Sequence, residues 1–212
     1  VIMSKGHASS VQYPYLVRQG IISQADWDNW PHGDTVLRVF ANRFIPGIDV
    51  TGGSLGHGLG IAAGMALAKK TDGGDGKNIN FFVILGEGEL YEGSTWEALH
   101  FIAHHKLHRI KIILDLNNNT ILGHPEDCLS LGDISAKFEA FGFEARRIDG
   151  HNYEQIYSGF EFLLSPEEKL KVLLADTIKG KGVSFMENRA ESHYWANLDA
   201  AKLEQMMKEL AQ

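Results

Sequence analysis

Two short stretches constrain this chain more than anything else in it. Phe81-Phe82-Val83-Ile84-Leu85 and Lys111-Ile112-Ile113-Leu114-Asp115-Leu116 are apolar on both faces, are bounded by glycine or asparagine, and are separated by a segment of helical periodicity. A strand with one wet side alternates apolar with polar residues; a strand apolar throughout needs cover on both faces, as parallel strands under crossover helices have. Residues 171–176 repeat the pattern, 144–148 form a weaker version suited to a sheet edge, and Val1-Ile2-Met3 offers a short fifth candidate. Helical patterns run over 54–70, 93–107, 133–141, 153–163 and 199–211. This alternation predicts an α/β fold: a doubly wound, mainly parallel sheet with helices on both faces, in one domain spanning 1–212. Residues 71–77 read as a mobile loop.

In such sheets ligands sit beyond the carboxyl ends of the strands. The glycines, 23 in all, cluster at 52–64, 73–93 and 180–182, and several of these turns follow predicted strands. Charge narrows the ligand class. Twenty basic against 27 acidic residues leave a net charge of −7, the wrong sign for a nucleic-acid or anionic-membrane binder, so any phosphate must be gripped locally. The lone cysteine, Cys128, excludes an internal disulfide framework and suits a reducing compartment. It reads as a packing residue. No apolar run reaches the roughly 18 residues of a membrane span, and Val1 to Ser4 leads directly into Lys5-Gly6-His7 without a signal-peptide pattern. A cytoplasmic location is expected.

The turn after the first apolar run reads Gly86-Glu87-Gly88-Glu89-Leu90-Tyr91-Glu92-Gly93, and the turn after the second reads Asn117-Asn118-Asn119. Both fall at strand carboxyl ends, where the Glu87 carboxylate and the Asn117 amide oxygen can converge on one hard cation. Oxygen ligands with positions left open for phosphate suit magnesium or calcium. Glycines beside Glu87 clear space, and the amino end of the next helix offers unpaired N–H groups to a diphosphate. Either piece alone reads more simply as a tight turn or a capped loop. The turn is not a dinucleotide fingerprint, because the third glycine of that pattern is missing.

Taken together, at this spacing, the two turns resemble the signature of thiamine diphosphate enzymes, and within them the amino-terminal, diphosphate-binding region of the transketolase family. Ser4-Lys5-Gly6-His7-Ala8-Ser9, Thr51-Gly52-Gly53-Ser54-Leu55-Gly56-His57-Gly58, the stretch 86–98, and Thr177-Ile178-Lys179-Gly180-Lys181-Gly182-Val183 extend the likeness along nearly the whole chain. The resemblance implies that Glu87, Asn117 and the backbone carbonyl of Asn119 hold the metal. It places Gly86, Gly88, Glu92 and Lys179 by the diphosphate, Gly53 and Leu55 beside the aminopyrimidine end, and His7 and His193 in the substrate channel. It also implies the activity, transfer of a two-carbon glycolaldehyde unit from a ketose to an aldose, with thiamine diphosphate and Mg2+ as cofactors and sugars or sugar phosphates as substrates. The glutamate that activates the cofactor belongs to a pyrimidine-binding domain, expected here on a separate partner subunit in a heterotetramer.

Three departures accompany the likeness. Glu87 stands where the family has aspartate; one extra methylene moves the carboxylate outward by about 1.5 Å, so either the loop retreats or the metal preference relaxes toward Ca2+ or Mn2+. The segment Phe40-Ala41-Asn42-Arg43-Phe44-Ile45-Pro46-Gly47 lacks a His-Pro pair. Several dozen residues that precede the Lys-Gly-His motif in the family are expected to be missing. These departures keep open a non-catalytic cofactor-binding or regulatory homologue, and a subunit of another thiamine diphosphate enzyme. Elsewhere, His100, His104 and His108 share helical spacing and read as a zinc face or, more simply, a polar helix end. Trp27, Trp30 and Tyr15 read as core rather than as a stacking platform. The 93–107 helix carries more apolar residues, Trp96, Ala98, Leu99, Phe101 and Ile102, than one covered face needs, which suggests an interface.

Overall fold

The computed structural model describes residues 1–72, 79–193 and 198–211. The expected loop 71–77 lies largely outside these. Among the described residues five strands, β1 (Ile2–Met3), β2 (Phe81–Gly86), β3 (Ile110–Leu116), β4 (Phe143–Asp149) and β5 (Leu170–Asp176), form one sheet in the order β1-β2-β3-β5-β4. Every pairing is parallel. The reason for two apolar faces is direct. Val83, Leu85, Ile110, Ile112, Leu114, Val172 and Leu174 pack into the main core, while Ile113, Leu173 and Ala175 face a second cluster on the other side. The edge strand β4 buries little beyond Phe143 and Ile148, as its weaker pattern foretold.

Among the described residues there are eight α-helices: α1 (Gln12–Arg18), α2 (Gln24–Asn29), α3 (His57–Thr71), α4 (Gly93–His104), α5 (Pro125–Cys128), α6 (Ile134–Ala140), α7 (Tyr153–Leu164) and α8 (Ala200–Leu210). The apolar faces of α3, α4 and α6 fill the main core, and α7 covers the second cluster. Helix α3 starts later than its periodicity predicts because Gly56 adopts a left-handed conformation, φ +76°, which an α-helix cannot include. Asp133 and Asp199 lie just outside their helices, as caps accepting the backbone N–H of Ala136 and Lys202. Between β2 and α4 the chain makes a 3-10 turn, Glu87–Tyr91, and the helix begins at Gly93, where its pattern starts.

Four other expectations need correction. Tyr15 is exposed; Tyr13 is the buried tyrosine, its hydroxyl donating to the Arg38 carbonyl at 2.5 Å and its ring edge on Trp30. Cys128 is exposed rather than packed. His108 lies beyond the end of α4 and His100 packs on the Phe141 ring, so the three histidines do not share a face; among the described residues no His/Cys/Asp/Glu cluster could hold a metal. Finally, the apolar excess of α4 is covered by its own fold. Ala98, Leu99 and Ile102 are buried, Trp96 stacks on Phe141, and only Phe101 of the five is exposed. No helix among the described residues is long and apolar enough to cross a membrane.

Candidate active site

The carboxyl ends of β2, β3 and β5, with the turn after β1, open onto a cleft of about 860 Å³. Each wall is one of the turns singled out above. The Lys5-Gly6-His7 turn is drawn in because β1 pairs with β2 and the Lys5 N–H continues the ladder, donating to the Ile84 carbonyl at 3.0 Å. This turn approaches the glycine loop so closely that a Cβ on Gly6 would lie 2.7 Å from Gly53 Cα.

A fully buried carboxylate ties the walls together. Glu89 accepts the hydroxyl of Ser4, the N–H of Gly56 at 3.1 Å and the N–H of Gly86 at 3.0 Å, one donor from each of three loops. Burial raises its pKa, and these three donors oppose the rise. A second anchor is Asp115 near the end of β3, which accepts from the Lys5 ammonium and the Thr177 hydroxyl and so links the turns after β1 and β5. Sequence reading missed both residues. Asp115 sits inside an apolar run, where a lone acid at a strand's carboxyl end is the only available signal.

Glu87 lies at the bottom of the cleft, 7% exposed. Burial raises its pKa first of all, while the N–H groups of Asn118 and Asn119 hydrogen-bond to it and act the other way. Its Oε2 is buried with no hydrogen-bond donor, and so is the Oδ1 of Asn119. Asn117 Oδ1 accepts the Asn119 N–H at 3.1 Å, an Asx turn closed over Asn118, whose φ is +53°. The result is a small group of buried oxygens with unused lone pairs.

The opposite wall carries two imidazoles and an ammonium. The His7 and His193 rings meet edge-on at 4.8 Å, and Lys179 Nζ lies 3.1 Å from His193 Nδ1. Burial, then the neighbouring Lys179, lowers the pKa of both histidines, that of His193 to about 4, so both are neutral at physiological pH. Lys179 is itself lowered by burial and by Lys5. Phe40, in the segment that lacks the His-Pro pair, stacks obliquely on His7 with centroids 5.1 Å apart.

Of the residues expected at the site, His7, Leu55, Gly86, Glu87, Gly88, Glu92, Asn117, Asn119, Lys179 and His193 all line this cleft. Gly53 stands behind the wall, against Gly6 and the Phe40 ring, with φ +121°.

A family profile described as "Transketolase, thiamine diphosphate binding domain" matches residues 1–211. The chain belongs to this family. Among its relatives is one subunit of the apulose-4-phosphate transketolase of Actinobacillus succinogenes, 37% identical over 91% of this chain and 69% of that protein. Another is the 6-deoxy-6-sulfo-D-fructose transketolase subunit SqwG of a Clostridium species, 35% identical over 91% of this chain and 70% of that protein. The crystal structure of transketolase from Campylobacter jejuni superposes with a TM-score of 0.89 at 28% identity, over 99% of this chain and 34% of that one. The doubly wound α/β fold is thus the thiamine diphosphate-binding fold of transketolases.

Proposed function

We propose that the chain is the diphosphate-binding subunit of a split transketolase, paired with a separate pyrimidine-domain chain and transferring a two-carbon glycolaldehyde unit between sugars or sugar phosphates. The likeness to proteins named as single subunits of transketolases, over most of both chains, carries this reading. Residues 1–212 form a diphosphate-binding domain of this subunit, and two copies of each chain make the assembly. The exposed Cys128 thiol suits a reducing, cytoplasmic setting.

The oxygens at the cleft floor fit a divalent cation. Glu87 Oε2 is a buried, ionisable acceptor without a donor, and Asn117 and the Asn119 carbonyl stand on the adjoining turn. Hard oxygen donors of this kind suit Mg2+, with Ca2+ or Mn2+ as alternatives. Gly86, Gly88, Glu92 and Lys179 would flank the diphosphate, with Leu55 toward the pyrimidine side. Thiamine diphosphate, when bound, supplies the carbanion chemistry that cuts the ketose carbon–carbon bond. The chain's own part is positional and acid–base. Neutral His7 and His193 can each hydrogen-bond a sugar hydroxyl or carry its proton, and burial, with Lys179 3.1 Å away in second place, keeps His193 neutral.

The test is to purify the chain with and without its candidate partner, add thiamine diphosphate, Mg2+ and a ketose donor, and follow two-carbon transfer. Transfer by the pair and none by the chain alone is expected. Transfer by the isolated chain would overturn the split-enzyme reading, and a pair that binds cofactor but transfers nothing would favour a regulatory homologue.

A further inference from the structure

At the other end of the sheet, where the strands begin, lies a second cavity of about 680 Å³. Its cations come from two places: Lys69 and Lys70 in the last turn of α3, and Lys106, Arg109 and Lys111 around the start of β3. Among the described residues, the carboxylates that face them are Glu167 and Glu168. Glu167 is already engaged with Lys169 at 3.3 Å and Lys171 at 4.0 Å.

The decisive residue is Lys111. The parallel register sets it directly beside Lys171 on the neighbouring strand, so two ammonium groups share one face of the sheet, 5% and 1% exposed. Like charges opposite one another across strands destabilise the pair. Lys171 is compensated: it donates to the Ser165 hydroxyl, approaches Glu167 and lies over the Phe162 ring at 5.3 Å. Lys111 has no such partner among the described residues, and burial together with Lys171 and Arg109 lowers its pKa to about 8. A second buried group in the same cavity is unmatched, the Asn80 Oδ1, which has no donor. Ile79, Leu107 and Leu164 give the cavity an apolar side as well.

We propose that this cavity is a binding site for a phosphate monoester of a small metabolite, its phosphate on Lys111 and the surrounding cations and a donor of its organic body on Asn80. The phosphate supplies the counter-charge that Lys111 lacks among the described residues, the amide oxygen accepts a hydroxyl or N–H, and the apolar side accommodates the body. The site lies at the opposite end of the strands from the cofactor cleft, so a ligand here leaves that cleft open.

The test uses the whole chain, with inorganic phosphate and adenosine 5′-monophosphate as probes, followed by 31P and amide NMR. Saturable binding of the monoester is expected, with shifts at amides 106–111. The dissociation constant should rise about tenfold or more in Lys111→Met, an apolar near-isostere, and be unchanged in Lys179→Met in the cofactor cleft. If Lys111→Met fails to fold, the exposed Lys70→Ala should still weaken binding several-fold. Absence of saturation up to about 10 mM, loss of binding in Lys179→Met instead, or binding of inorganic phosphate without the monoester would each overturn the proposal.

Discussion

The Glu87 carboxylate is held where its ionisation is unfavourable, and this makes it a sensitive reporter. Because its folded pKa is raised, the folded state binds the proton more tightly than the unfolded chain. Its contribution to stability is therefore present below the ordinary carboxylate pKa and is lost as pH rises through the raised value. Glu87→Gln should raise the melting temperature of the metal-free chain at neutral pH and remove any further rise on adding Mg2+ with thiamine diphosphate; a thermal scan at several pH values reads both. An unchanged Mg2+ response would remove Glu87 from the metal site. For the histidines, alanine at His7 or His193 should lower kcat/KM of the assembled enzyme by about 10- to 1,000-fold, as loss of one or two strong contacts would, with little change in cofactor affinity. Lys179→Met should raise the pKa of His193 from about 4 while leaving it below 6.5, because burial is the larger cause; an imidazole NMR titration measures this. Glu87 and Asn117 were legible in the sequence because glycines and strand ends frame them. Glu89 was not, since its three partners come from Ser4, Gly56 and Gly86, and nothing local to Glu89 names two of them.

At the scale of elements, the strands were legible almost to the residue because burial on both faces makes most positions of the central ones apolar. Helix starts were less so: a capping aspartate looks like a member of the helix it precedes, and the left-handed Gly56 is invisible to periodicity. That glycine joins the cofactor loop to α3 and touches the next wall. A Cβ there would meet Glu92 Cβ at 2.7 Å in a conformation that side chains avoid. Gly56→Ala should therefore destabilise the chain by about 1–3 kcal/mol and weaken cofactor binding with it, as urea unfolding and calorimetry would register. Full stability in that variant would mean that the loop is free to move. Helix α4 gives the opposite lesson. Its apolar excess looked like an interface but is consumed by α3 below and by Phe138 and Phe141 alongside, a tertiary arrangement that composition does not contain.

For the whole molecule, one of several exposed apolar patches lies on α3, where Ile61 and Met65 stand one turn apart and more than a third exposed. Met65→Glu should leave the isolated chain folded and weaken its association with the partner chain by about tenfold or more, measured by light scattering after gel filtration. Retained association would place the interface elsewhere. The sheet itself has a bearing on how the protein reaches its native state. Ile2 pairs with Val83, so the strand that carries the Lys-Gly-His turn finds its neighbour only after a long intervening stretch of chain has been organised. Such pairing is entropically slow, and a two-residue strand holds it weakly. The catalytic-side turn should thus be among the last parts to dock during refolding, and cofactor binding, which needs that turn in place, should lag behind the recovery of helical circular dichroism.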